Sequence, residues 1–264
     1  MQLDKTRITV RERNYFDVLD LGLRVVRAGG WPLVAALAAG AAPMMLLNSW
    51  LLAGYREADF NLGWPAQYMW WTLVLVAWEI PISSAPATLY LGQVLFDERP
   101  QAKTIARHLL ESLPQLLLYQ GLLRPVFIGW PYLGEVILLE RNPMWRRRGG
   151  KSSLGRARTL HRGESGDLLP RGLAALAVGG LLVATVWGSI FMIRALLVAE
   201  LGWNDAIGTF YFPLALWVVA SYFHVVRFLS YLDLRIRREG WEVELLMRAE
   251  SVRLLRQGEL RVES

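Results

Sequence analysis

PQLLLYQGLLRPVFIGWPYLGEVILL, Pro114 to Leu139, is the stretch whose reading decides the fold. It is apolar enough to belong in a bilayer, yet Arg124–Pro125 and Trp130–Pro131 interrupt it. A helix rises 1.5 Å per residue, so about 20 apolar residues are needed to cross a hydrocarbon layer of about 30 Å. Each uninterrupted piece is too short for that. Proline removes a backbone donor and clashes with the turn before it, so both dipeptides predict breaks.

The flanks carry the next step. Arg141 to Arg162 contains eight Lys or Arg and no Asp or Glu. A short loop with that charge belongs on the cytoplasmic side of a membrane. The segment 97–113 before the stretch, "DERPQAKTIARHLLESL", reads as an amphipathic surface helix, with Ile105, Leu109, Leu110 and Leu113 opposite Lys103, Arg107 and Glu111. If 114–139 crossed fully, these two flanks would lie on opposite sides. The charge pattern therefore predicts that the stretch enters and leaves by one face, as a re-entrant or interfacial hairpin.

Four other blocks are candidates for full crossings. They run from Trp31 to about Leu52, from Tyr68 to Phe96 with Pro81 and Pro86 inside, from Leu173 to Leu197, and from Thr209 to Leu232. The links at 55–67 and 199–208 lie on the far side, and the latter, "AELGWNDAIG", has two acids and no base. The prediction is an all-α, polytopic transmembrane bundle, read as one membrane domain over 1–264. An interfacial N-terminal helix (1–30) leads into the bundle (31–232), and a cytoplasmic amphipathic tail (233–264) follows it. Both termini are placed in the cytoplasm.

Composition agrees. Of 264 residues 54% are hydrophobic, and the mean hydropathy is positive. Many of the twelve tryptophans sit at block ends, Trp31, Trp50, Trp64, Trp70 and Trp203 among them, as an aromatic belt would have them. The first thirty residues lack the basic start, apolar run and cleavage site of a signal peptide, so the N-terminus is expected to be retained. There is no cysteine, which removes disulfides and thiolate ligands. His108, His161 and His224 are too scattered for a helical zinc motif. The net charge of +6 concentrates in one membrane-adjacent loop, pointing to anionic headgroups at 141–162 and away from nucleic acid.

Ionisable groups at membrane depth are the functional candidates, because a charge at a helix centre costs about 2.5–3.5 kcal/mol even on insertion scales. Glu79, two residues before Pro81, and Arg124 at the break either pair with each other or reach headgroups and water. Glu135 pairs with Arg194 or Arg227, or sits at the interfacial end of the hairpin. Arg194, near the outer end of its span, reads as a snorkelling side chain. His224 and Arg227 share a face three residues apart, as a proton relay or, more simply, around a structural histidine. No catalytic motif is present: no nucleophile elbow, phosphate loop or dinucleotide fingerprint. No cofactor is expected, and Gly149–Gly150 reads as part of a flexible basic loop.

Two stretches carry a resemblance: "PYLGEVILLERNPMWRRR", Pro131–Arg148, and "YLDLRIRREGWEVELLMRAE", Tyr231–Glu250. The second resembles the Tyr-x-Asp-Leu-Arg-x-Arg-x-Glu-Gly tail of uncharacterised bacterial multi-pass membrane proteins, similar in layout to the membrane domain of some glycerophosphodiesterases. Tyr231, Asp233, Arg235, Arg237, Glu239 and Gly240 match that pattern, while Trp241 and Val243 depart from it. The resemblance implies a bacterial cytoplasmic-membrane protein without a catalytic domain of its own. Asp233, Arg235, Arg237 and Glu239 read as an ion-pair cluster that orients the tail, or as a docking site. The expectation for function is a non-enzymatic scaffold or accessory subunit with a protein partner at its cytoplasmic face. The alternative is a small-solute or lipid transporter built on the broken helices around Glu79 and Arg124.

Overall fold

The computed structural model describes residues 14–60, 65–96, 100–127, 129–140, 152–161, 165–199 and 205–239. These residues form helices and turns, with no strand among them. Four helical stretches are long and apolar enough to cross a membrane: Tyr15–Leu51, Ala66–Leu95, Pro170–Val198 and Ile207–Ile236.

Helix α1 (Tyr15–Leu51) begins with a capping box in which Asn14 and Asp17 satisfy each other's backbone, leaving fewer free donors in the first turn. The expected boundary between interfacial helix and span is visible as a kink. Gly30 adopts φ 54°, a conformation open to glycine and strained for other residues, just before Trp31–Pro32. After α2 (Ala53–Phe60), the second span is two helices, α3 (Ala66–Ser83) and α4 (Ala85–Phe96), as Pro81 and Pro86 predict. Ser84 Oγ donates to the Pro81 carbonyl at 3.1 Å, a side-chain bond at the break.

α1 crosses the break in close contact. A Cβ on Gly40 would lie 1.8 Å from the Ser83 carbonyl oxygen, so only glycine lets the two backbones meet there.

α5 (Ala102–Leu116) continues through a π-helical turn, Leu117–Leu122, and the chain then reverses over residues 123–132 into α6 (Leu133–Glu140). α5 and α6 pack against each other and against α4. α5 begins beside the end of α4, and α6 ends beside α9. Gln101 N–H donates to Gln93 near the end of α4, and Glu140 accepts from Tyr231 near the end of α9. α6 is the most enclosed element: Leu133 through Leu138 are all buried, as an all-round apolar helix must be.

α7 (Ser153–His161) packs on α6, followed by α8 (Ser165–Val198) and α9 (Phe212–Glu239), the latter entered through a second π-helical turn at Ile207–Tyr211. α9 is the central post, with its heaviest packing against α1 and further contact with α3, α4, α7 and α8. α8 is peripheral: 6% of its apolar window is buried, against 67% for the last span.

Three expectations need correction. Within the basic loop, Ser153–His161 is a helix with Ser153, Ala157, Leu160 and His161 buried; Arg141–Lys151, including Gly149–Gly150, lies outside the described residues. The tail does not begin a new element at residue 233, because α9 runs unbroken to Glu239; the chain beyond that lies outside the described residues. On α5, Leu110 is 68% exposed; the inward face is Ile105, His108, Leu109 and Ser112, the stripe that α4 and α6 cover.

Gly40→Ala is expected to lower stability by about 1–3 kcal/mol through overpacking. Gly180→Ala, whose Cβ meets nothing within 4 Å, is expected to leave it unchanged. Thermal unfolding of both variants in detergent checks the contrast.

Candidate functional site: the buried polar core

Arg227 on α9 faces Glu135 on α6. Its Nε donates to Glu135 Oε1, and its Nη2 donates to Glu135 Oε2 at 3.0 Å and to the Pro131 carbonyl. Glu135 is 1% exposed. The planar guanidinium suits such a bidentate contact, and Gly134, with Arg227 Nη2 3.6 Å from where a Cβ would stand, leaves room for it. Of the two partners expected for Glu135, the structure selects Arg227. Arg194 is half-buried near the end of α8 and takes no part in this pair.

Glu79 and Arg124 do not pair. Glu79 is buried on α3 and accepts from Asn48 Nδ2 on α1 at 2.8 Å. Arg124 donates to the Trp78 carbonyl and lies over the Trp78 ring, 5.6 Å from its centroid. Trp78 Nε1 in turn donates to the Gly121 carbonyl at 3.1 Å. That carbonyl stands four residues before Pro125, which has no N–H to offer it. The reversal of the chain is therefore tied to the middle of α3 through a backbone oxygen and an indole, and the carboxylate is left to Asn48.

His224 is 1% exposed, and its Nε2 lies 3.2 Å from Ser83 Oγ at the α3–α4 break. Its Nδ1 is buried with no hydrogen-bond partner among the described residues. His224 and Arg227 thus share a face of α9, as their spacing predicts, and serve different neighbours.

Toward the end of α9 the polar contacts become a latch for the hairpin and α7. Glu140 accepts from Arg156 Nε at 2.7 Å and from Tyr231 Oη at 3.2 Å. Asp233 meets Arg171 of α8 at 3.4 Å, a contact from another helix. Arg235 is half-buried on the same helix; the side chains of Arg237 and Glu239 lie outside the described residues.

His161 was not singled out by its sequence context. Its ring stacks on Tyr132, its Nδ1 lies 2.8 Å from the Ala157 carbonyl, and its Nε2 accepts from Tyr132 N–H at 3.3 Å. A neutral ring protonated on Nδ1 satisfies both contacts; a second proton would break the one to Tyr132. Burial also lowers its pKa below the ordinary histidine value. Asn48 and Ser83 were likewise missed. Their signal is a lone amide in an apolar run and a serine pair between two prolines. No group of three or more His, Cys, Asp or Glu poised for a metal occurs among the described residues.

Comparison of the chain with protein-family models, with curated proteins and with solved structures gives no match.

Two outcomes are expected. Arg227→Leu leaves Glu135 as an unpaired buried charge and should cost about 3–5 kcal/mol, whereas Arg227→Leu combined with Glu135→Leu should recover much of the loss in thermal unfolding. For His161, the folded pKa lies below the unfolded value of about 6.5, so the unfolded chain binds the extra proton. Stability from this group is full above that pH and falls below it, by up to about 1.4 kcal/mol per pH unit. His161→Gln should remove that part of the acid sensitivity, seen by comparing unfolding of the two proteins across the range.

Proposed function

We propose that the chain is a non-enzymatic integral-membrane scaffold or accessory subunit of a bacterial membrane complex. Its site is the cytoplasmic membrane, its termini are cytoplasmic, and 114–139 is a re-entrant hairpin. The observation that carries this reading is the use to which its buried charges are put. Arg227, Glu135, Glu140, Arg156, Asp233 and Arg171 are bonded to one another as struts between helices.

The surface supports the same reading. α8 leaves Leu176, Leu196 and Leu197 at least 74% exposed, an apolar face for lipid or a neighbouring helix. α5 carries Lys103, Arg107 and Glu111 on its exposed side, and α7, with Arg156 and Arg158, packs against the neighbouring α6. Positive charge on α5 and α7 suits anionic headgroups and supports a cytoplasmic assignment. The hairpin gains support from geometry, since α5 begins beside the end of α4 and α6 ends beside α9. Its reversal, at Trp78, lies roughly 18 Å along the helix from Ala66.

Photo-crosslinking from Leu176 and from Lys103 in native membranes tests the scaffold reading. A stoichiometric protein adduct from either position is expected, and a protein that crosslinks only to lipid at both would remove the basis for it. Topology is tested separately in this cysteine-free chain. Ser152→Cys should react with an impermeant maleimide only from the cytoplasmic side; labelling from outside would refute the hairpin.

A small-solute or lipid transporter is the second reading, favoured by one observation: the two proline-broken elements meet at Trp78. It requires water to reach Glu79, which is 7% exposed. A cysteine placed there that stays inert to small thiol reagents from both sides would end it.

A further inference from the structure

Two of the buried polar pairs are left over once the struts are assigned. Glu79 and Ser83 stand four residues apart on α3, so they share one face, one turn above the other. Glu79 takes Asn48 of α1 and Ser83 takes His224 of α9. Glu79 lies roughly 20 Å along the helix from Ala66 and roughly 24 Å from Leu95, the middle of its span. We propose that Glu79–Asn48 and Ser83–His224 together form a proton-binding site at the centre of the bundle. This inference does not depend on the scaffold reading.

The partner inventory supports it. Glu79 has one amide donor and no cation bonded to it among the described residues, an arrangement that suits a carboxylic acid better than a carboxylate. Ser83 Oγ also lies 3.2 Å from the Ile80 carbonyl and donates to it. The Ser83 oxygen is then free to accept from His224 Nε2–H, which leaves the Nδ1 lone pair turned into the interior. Among the described residues neither Nδ1 nor Asn48 Oδ1 has a hydrogen-bond partner. One is a base that can take a proton; the other is an acceptor that can hold a water or hydronium. Mixed donors and acceptors of this kind match a proton better than a metal, which would want a cage of oxygens.

The charges nearest the site are bonded to partners of their own, and Arg227, one turn from His224, is close enough to act on that ring. Arg227, one turn beyond His224, is neutralised by Glu135 of α6, and Arg124 is bound to the Trp78 carbonyl. α1 brings only Asn48 to this level, and α4 has no charged residue among Ala85–Leu95. α8 meets α9 with Arg171 at the far end, on Asp233, and with Arg194 near its other end. α7 brings His161 and Arg156 to the Tyr132 and Glu140 level. At the opposite end of α3, Arg56 and Asp205 act on Tyr68.

Infrared difference spectra of the full chain in liposomes, cycled between about pH 5 and about pH 9, test the site, since buried carboxyls titrate within that range. The wild type should show the carbonyl band of a protonated carboxyl that is lost on the alkaline side. Glu79→Gln should abolish the band, and His224→Gln should move its pH midpoint. Should Glu79→Gln fail to fold, Asn48→Leu serves instead, shifting the band toward the frequency of a carboxyl without a hydrogen-bond donor. Absence of the band in wild type, its persistence in folded Glu79→Gln, its unchanged position in Asn48→Leu, or an unmoved midpoint in His224→Gln would overturn the proposal.

Discussion

The contact between Arg227 and Glu135 constrains the rest of the molecule. A guanidinium at this depth of a helical bundle must be neutralised and its N–H groups satisfied, since each unmet requirement costs several kcal/mol in a medium without water. Glu135 meets the charge and the Pro131 carbonyl meets a remaining donor. Both lie on the second arm of the hairpin, so the pair sets where α6 stands against α9. From that placement follow the neighbouring contacts: Tyr132 on His161, and Glu140 between Tyr231 and Arg156. The pair is costly to break from one side, and its value lies in specifying one arrangement of an element that is apolar all round and would otherwise slide.

Prolines supply the complementary constraint. A proline strands the carbonyl four residues earlier, and at two places a side chain from another helix meets it. Gly121, four before Pro125, receives the Trp78 indole. Thr209, four before Pro213, receives the Tyr68 hydroxyl at 3.1 Å. The π-helical turns at Leu117–Leu122 and Ile207–Tyr211 stand at these same two places, where ordinary helix spacing is interrupted. Broken helices here act as sockets that join one helix to the next.

Much of the architecture was legible because hydropathy and charge are one-dimensional properties. The four candidate spans and the break between Pro81 and Pro86 follow from runs of apolar residues and the positions of proline. Partner choice was not legible in the same way. Glu79 and Arg124 lie at the same level, and from sequence nothing separates a pair between them from Glu79 with Asn48 and Arg124 with a carbonyl. That choice depends on the rotation of α1 and α3 about their axes, which the close Gly40–Ser83 approach constrains. Asp233 shows the same limit: its sequence neighbours are basic, and nothing in the sequence points to Arg171 of α8, which it meets. The α7 helix was hidden because its buried face, Ser153, Ala157, Leu160 and His161, is short and lies among many arginines.

The depth of the hairpin's turn tests the account most directly. Val126, 73% exposed beside Arg124, is the position for a spin label in the full chain reconstituted in liposomes. Collision with oxygen, which concentrates in the hydrocarbon, should exceed collision with a water-soluble nickel complex, placing the turn within the apolar layer. With Arg227→Leu the label should move toward the headgroups as the latch is lost. A wild-type label at headgroup depth, or one that meets the nickel complex added from outside, would contradict a hairpin held inside the membrane by Arg227 and Glu135.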